Sequence, residues 1–172
     1  KNHRWVDRLV WMESKWIDYV SDKKVKTYIL KHNDDLAGFF ELIFHFEKKE
    51  VEIAYFGLLE EYQNKKLGSY LLHEAIKNYN PDLVCMSALT FSILDVRKSA
   101  QVAKEACPNT KVCLGGVHIN LFPEETLKLK EVDYIVHGEG EIPFKELVCA
   151  IKDGDTESIK SIQGVGSKVG SE

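Results

Sequence analysis

The way this chain connects its segments changes once, between Gly68 and Asp82, and that change limits the folds open to it. Before it, short β-rich runs follow one another through polar turns. Residues 26–31 form one run, and Asn33, Asp34 and Asp35 mark a turn. Residues 37–46 resume with Phe39, Phe40, Leu42, Phe44 and Phe46, residues 47–50 are a charged turn, and residues 51–58 are a third run. Strands joined by such short turns pair antiparallel, so a meander is expected. After the change, strands alternate with helix-length segments. The strands expected are 83–89, 111–114 and 132–136; the helices are 94–106, 123–130 and 143–151. That alternation is the signature of right-handed βαβ units on a parallel sheet.

The junction itself is a helix over residues 69–78, with Leu71, Leu72, Ala75 and Ile76 on one face, stopped by Pro81. A further amphipathic helix is expected over residues 5–20, carrying Trp5, Leu9, Trp11, Trp16, Ile17 and Val20 as core anchors. The fold class expected is α/β, an antiparallel meander followed by a parallel, Rossmann- or flavodoxin-like βαβ section. The expected domains are residues 1–80 and 81–166, with a tail at 167–172. No flexible linker divides them and no internal repeat is evident.

Composition narrows the function classes. A 172-residue chain with net charge −4 lacks the cationic surface that general nucleic-acid binding needs. Its apolar runs are far shorter than the ~20 residues that span a bilayer, and no charged-then-apolar leader opens it, so neither a membrane partner nor a signal peptide is expected. Cys85, Cys107, Cys113 and Cys149 form no Cys-x-x-Cys pair, so no metal site is indicated. Cys85 and Cys113 sit inside apolar runs and read as small buried hydrophobes. A reducing cytoplasm is the expected compartment.

In the front half, the strand over residues 51–58 leads into a polar loop and then a helix. Such a turn points backbone N–H groups and a helix dipole outward, a site suited to a pyrophosphate. The loop residues are Gln63, Asn64, Lys65, Lys66, Leu67 and Gly68. The loop, the AGFFEL segment from Ala37, the EVEIAYFGLL segment from Glu50 and the tryptophan-rich helix resemble the GNAT N-acetyltransferases over about residues 3–78. Lys66 stands where that family's loop usually carries its inner glycine. The aromatic-rich closing strands of that family do not follow Tyr79. The resemblance implies acetyl-CoA as cofactor, bound at residues 63–68, and an amine acceptor as partner. Direct attack on a thioester requires the amine to be deprotonated. Glu52, on the strand before the loop, is the candidate base, and Tyr55 a poorer candidate to protonate the leaving thiolate.

In the back half, small or polar residues gather at the ends of the expected strands: Ser87, Leu89, Gly115, Gly116, Gly138, Glu139 and Gly140. The carboxyl ends of parallel strands share one edge, where ligands bind, and glycines there let a flat ligand approach the backbone. The Ser87-Ala88-Leu89 element, the Gly115-Gly116 pair and the Gly138-Glu139-Gly140-Glu141 loop resemble the cobalamin-binding domain of radical SAM enzymes over about residues 74–166. The resemblance implies cobalamin as a cofactor held by these residues. The Asp-x-His-x-x-Gly element whose histidine ligates cobalt does not occur, and neither does a Cys-x-x-x-Cys-x-x-Cys motif for radical chemistry. His118, after the glycine pair, reads as a surface loop histidine.

Three readings therefore stand: an acetyl-CoA-dependent N-acetyltransferase with a substituted C-terminal half, a cobalamin-binding module, and a folded chimera with neither activity. The first is the leading expectation.

Overall fold

The computed structural model describes residues 8–168. The chain divides into two compact units between Leu71 and Leu72.

In the front unit, helix α1 (Glu13–Ser21) precedes β1 (Val25–His32), β2 (Asp35–His45) and β3 (Glu50–Leu58), which form an antiparallel sheet in sequence order. The β1–β2 turn is tight because Asn33 and Asp34 both take positive φ, 51° and 69°. These residue types tolerate that region best after glycine, and it matches the twist of a two-residue hairpin. The central strand β2 is the most buried, with Ala37, Phe40 and Leu42 in its core, and Phe40 stacks on Tyr28 with ring centroids 4.6 Å apart. The first helix starts later than the apolar spacing suggests, with residues 8–10 a turn and Trp5 outside the described residues, and it anchors no core: Leu9, Trp16, Ile17 and Val20 are exposed and α1 buries no residue.

Helix α2 (Leu67–Tyr79) crosses the dividing point, and Asn80 closes it with φ 51° before Pro81. The back unit then runs β4 (Leu83–Ser87), α3 (Ile93–Ala106), β5 (Lys111–Gly115), α4 (Val117–Leu121), α5 (Pro123–Leu127), β6 (Tyr134–Val136), α6 (Glu141–Asp153), α7 (Thr156–Ile159) and β7 (Val165–Ser167). Its sheet order is β4-β5-β6-β7. The first two pairings are parallel, and β7 adds antiparallel to β6.

Because β5 is central, it buries both faces. Val112 and Leu114 pack with Ala88, Ala100, Ala103 and Ile135 on one side; Cys113 packs with Tyr134, Val136 and Leu147 on the other. Asp133 ties the amino end of this sheet together. Its carboxylate accepts the Val112 N–H at 2.8 Å and the Lys104 ammonium at 2.6 Å.

Three further expectations need correction. The first two residues of the expected tail are tied to the back unit: Ser167 is the last residue of β7, and Lys168 Nζ donates to the Leu129 carbonyl. A separate short helix, α4, occupies the segment after the glycine pair, where a loop is expected. The strand expected to be buried over residues 83–89 is β4, an edge strand of intermediate burial in which Cys85 is exposed.

Candidate functional site

The front-half candidates occupy distinct settings. Glu52 projects from β3 with its side chain 56% exposed and lies 3.5 Å from His45 Nε2 across the β2–β3 pair. Tyr55 lies under a guanidinium: Arg8 Cζ is 3.9 Å from its ring centroid, within cation–π range. That arginine also forks onto the buried Glu41 at 3.0 and 3.3 Å and donates to the Tyr19 hydroxyl at 2.6 Å. Tyr19 donates in turn to Glu41. Burial and the bond to Glu41 together push the Tyr19 phenol up to about 12, despite the opposing Arg8 charge. Tyr55 therefore forms one wall of a structural cluster.

The loop before α2 bends through positive φ at Asn64 (60°) and Lys66 (61°), the second in a position where glycine has no steric cost. Leu67 and Gly68 open the helix. The Gln63 side chain turns back to donate to the Leu58 carbonyl at 3.3 Å, and Lys65 Nζ sits 5.2 Å from the Tyr62 ring centroid.

The back-half candidates converge. Register places Ser87 opposite Gly115 at the ends of β4 and β5, and β6 ends at Val136 beside them. The chain after β4 is stitched to the chain after β5. Ala88 N–H donates to the Gly115 carbonyl at 2.8 Å, and His118 N–H donates to the Ala88 carbonyl at 3.0 Å.

Gly116 makes this stitching possible. It adopts φ 98° and ψ −177°, and a Cβ there would lie 2.9 Å from the Ala88 oxygen and 3.0 Å from its nitrogen. In the direction of a side chain, the space at this glycine is taken by the Ala88 backbone. Gly138 differs. Its φ is 76°, nothing lies within 4 Å of a Cβ built on it, and its N–H donates to Asn120 Oδ1 at 2.8 Å. Glu139 is exposed beside it, and Gly140 leads into α6.

The same edge exposes apolar side chains at Leu89, Phe91 and Val117. The Ser92 hydroxyl holds the Leu89 turn by accepting its N–H and donating to its carbonyl. Sequence reasoning missed Phe91 and Val117, whose only sequence signal is an apolar residue just after each strand end. His118 is buried rather than on the surface: its Nδ1 lies 3.3 Å from Thr90 Oγ1 and its ring 5.1 Å from Phe122.

Among the described residues, no group of three or more His, Cys, Asp or Glu side chains could hold a metal ion, and no helix is long and apolar enough to cross a membrane. The edge thus combines bare backbone at Gly138 with exposed apolar side chains.

Comparison with known proteins points to the same segment. A family model described as "B12 binding domain" matches residues 46–148, more than half of the chain. The match begins at the β2–β3 turn and includes β3 and α2 as well as the back sheet through most of α6. An uncharacterized methyltransferase of Pyrococcus horikoshii is 38% identical over 94 residues, 54% of this chain and 20% of that protein. An anaerobic magnesium-protoporphyrin IX monomethyl ester cyclase of Rubrivivax gelatinosus is 34% identical over 84 residues, 48% of this chain and 15% of that protein. The cobalamin-dependent radical SAM methyltransferase TokK of Streptomyces tokunonensis is 33% identical over 93 residues, 54% of this chain and 14% of that protein. The chain thus spans only a small part of the length of these relatives. None of these matches supports an acetyltransferase segment.

Proposed function

Since the chain belongs to the B12-binding domain family, we propose that it is the cobalamin-holding module of a cobalamin-dependent radical SAM enzyme, as the name of one relative suggests. One observation carries the reading: the family match contains the whole shared edge of β4, β5 and β6. When bound, cobalamin would supply the group-transfer chemistry; these residues would hold and orient it. Leu89, Phe91 and Val117 would cover an apolar face, and the bare backbone at Gly138 would admit the macrocycle without a side chain in the way. Ser87, Gly115, Glu139 and Gly140 would complete the rim. His118 is engaged with Thr90 and Phe122, and the reading gives it no bond to cobalt. Binding would therefore rest on shape and backbone contacts, and would be weaker than in a domain with an axial histidine.

An absorbance and calorimetric titration with hydroxocobalamin tests the reading. Saturable binding without an imidazole-ligated spectrum is expected, and Gly138→Phe should weaken it at least tenfold by filling the open space. No saturable binding by the folded chain, or binding indifferent to Gly138→Phe, would sink the assignment.

A second reading, an acetyl-CoA site in the front unit, rests on local geometry alone, since Glu52 and residues 63–68 lie inside the B12-domain match. Its antiparallel meander runs into a helix opened by Leu67 and Gly68, with residues 63–68 as the cradle, Glu52 as base and a small amine as acceptor. Heat on titration with coenzyme A, abolished by Gly68→Pro, is the expected result; no heat from the folded chain rejects it.

A further inference from the structure

The parallel register sets Cys85 on β4 directly opposite Cys113 on β5. Neighbouring strands run about 4.8 Å apart, a backbone separation that disulfides can bridge. Side chains at matched positions of parallel strands leave the same face of the sheet. The two thiols are also hydrogen-bonded to each other; that bond and then burial hold the Cys113 thiol far above its ordinary value.

Access to the two sulfurs is unequal. Cys113 is 3% exposed and packed among Tyr134, Val136 and Leu147, whereas Cys85 lies on the edge strand and is exposed. One thiol can meet a reagent from solution; the other can only react with its neighbour.

We propose that Cys85 and Cys113 are a thiol modification site that closes to a reversible disulfide, with Cys85 meeting the oxidant and Cys113 resolving the product. The oxidant is a low-molecular-weight disulfide. Cys85 releases its proton to solvent, and the thiolate attacks one sulfur of that disulfide. The small disulfide's S–S bond breaks, a mixed disulfide forms on Cys85, and one small thiol leaves after taking a proton. With Cys85 in the mixed disulfide, the thiol partner that most raises Cys113 is gone; Cys113 attacks Cys85 Sγ and its proton passes to the second small thiol as that leaves. The protein gives up two electrons and two protons, and the small disulfide takes up both.

Geometry also sets how durable the bond is. Side chains standing in register from parallel strands keep their Cβ atoms about as far apart as the strands, beyond the ~3.8 Å mean of relaxed disulfides. Closing the bond must draw β4 toward β5 at this point. A bond strained in this way is more readily reduced than a structural one. The link would lie just inside Ser87 and Gly115.

The test is incubation of the whole chain with oxidised glutathione, acid quenching, alkylation, and mass analysis of intact protein and peptides. The expected product carries an internal link between the Cys85 and Cys113 peptides, apart from any glutathione on the exposed Cys149, and returns to the starting mass with excess reduced thiol. Cys113→Ser should stop at one glutathione on Cys85. Cys85→Ser, a change at an exposed position, should abolish the link and leave Cys113 unmodified, with far-UV circular dichroism confirming that the variant is folded. A wild-type chain that forms no link overturns the proposal. So does a link through Cys107 or Cys149, one between two chains, or a Cys113→Ser protein in which Cys85 stays unmodified.

Discussion

Replacing Gly116 with alanine tests how closely the carboxyl edge of the back sheet is packed. Gly116 sits at φ 98° and ψ −177°, a region essentially confined to glycine, where a side chain costs about 1–3 kcal/mol. The new methyl would also stand 2.9 and 3.0 Å from Ala88 backbone atoms. Those atoms cannot move away freely. Ala88 N–H is held by Gly115 at 2.8 Å, and its carbonyl by His118 N–H at 3.0 Å; loosening either forfeits about 1 kcal/mol. The sum predicts a loss of roughly 2–4 kcal/mol. Gly138→Ala is the control. It too has positive φ, 76°, but open space around the added methyl, so only the left-handed cost of about 1–2 kcal/mol applies. Urea unfolding followed by circular dichroism, with amide exchange at Leu114 and Ile135 reporting on the back sheet, measures both variants. If Gly138→Ala costs as much as Gly116→Ala, or Gly116→Ala costs under about 0.5 kcal/mol, the contact with Ala88 is not what requires the glycine.

Two further outcomes are expected. Asp133→Ala should cost the back unit about 1.5–3 kcal/mol, because the Val112 N–H and the Lys104 ammonium both lose their acceptor; an unchanged urea midpoint would show that water replaces it without loss. The Tyr19 phenol is raised from 10.0 to about 12 by burial and by its bond to Glu41, so the folded state favours the protonated form. The associated stability is fully present below pH 10 and is lost as pH rises through about 12; Tyr19→Phe should flatten that part of the front unit's stability profile, and an identical slope in both proteins would contradict the assignment.

Much of the architecture is legible in the sequence because it rests on local patterns. Asn33-Asp34 announces the first hairpin, and the alternation around Phe40 and Leu42 gives the central strand of the front sheet. Pro81 stops α2, and the helix expected over residues 94–106 is α3. What escapes depends on partners distant in sequence. Val165-Gly166-Ser167 has no strand pattern of its own and becomes β7 only by lying along β6, where a Cβ on Gly166 would come within 2.7 Å of Ile135 Cγ1. Cys85 sits in an apolar run that reads as a central strand, but no local feature tells a sequence reader that β4 lies at an edge. His118 is drawn inward because α4 forms, and α4 is only one turn long, too short to leave a periodicity. In the candidate site, the convergence of Ser87 and Gly115 follows from parallel topology and is foreseeable. The filling of the space beside Gly116 by Ala88 is not, since it depends on a backbone-to-backbone approach that residue identity does not encode.

The two sheets differ in how much chain each pairing must close before it is rewarded. In the front sheet His32 meets Asp35 across a two-residue turn, and His45 meets Glu50 across a short one. In the back sheet Leu83 must find Lys111, Cys113 must find Tyr134, and Tyr134 must find Ser167, with helices intervening each time. Loop-closure entropy makes such distant pairings slower to form. The front hairpins should therefore be native-like early in refolding, while the back sheet waits on its crossovers. During synthesis the difference is sharpened, since chains emerge amino end first. The residues of β7 appear well after those of β6, with α6 and α7 between them, and until they arrive the outer edge of β6 has no neighbour to pair with.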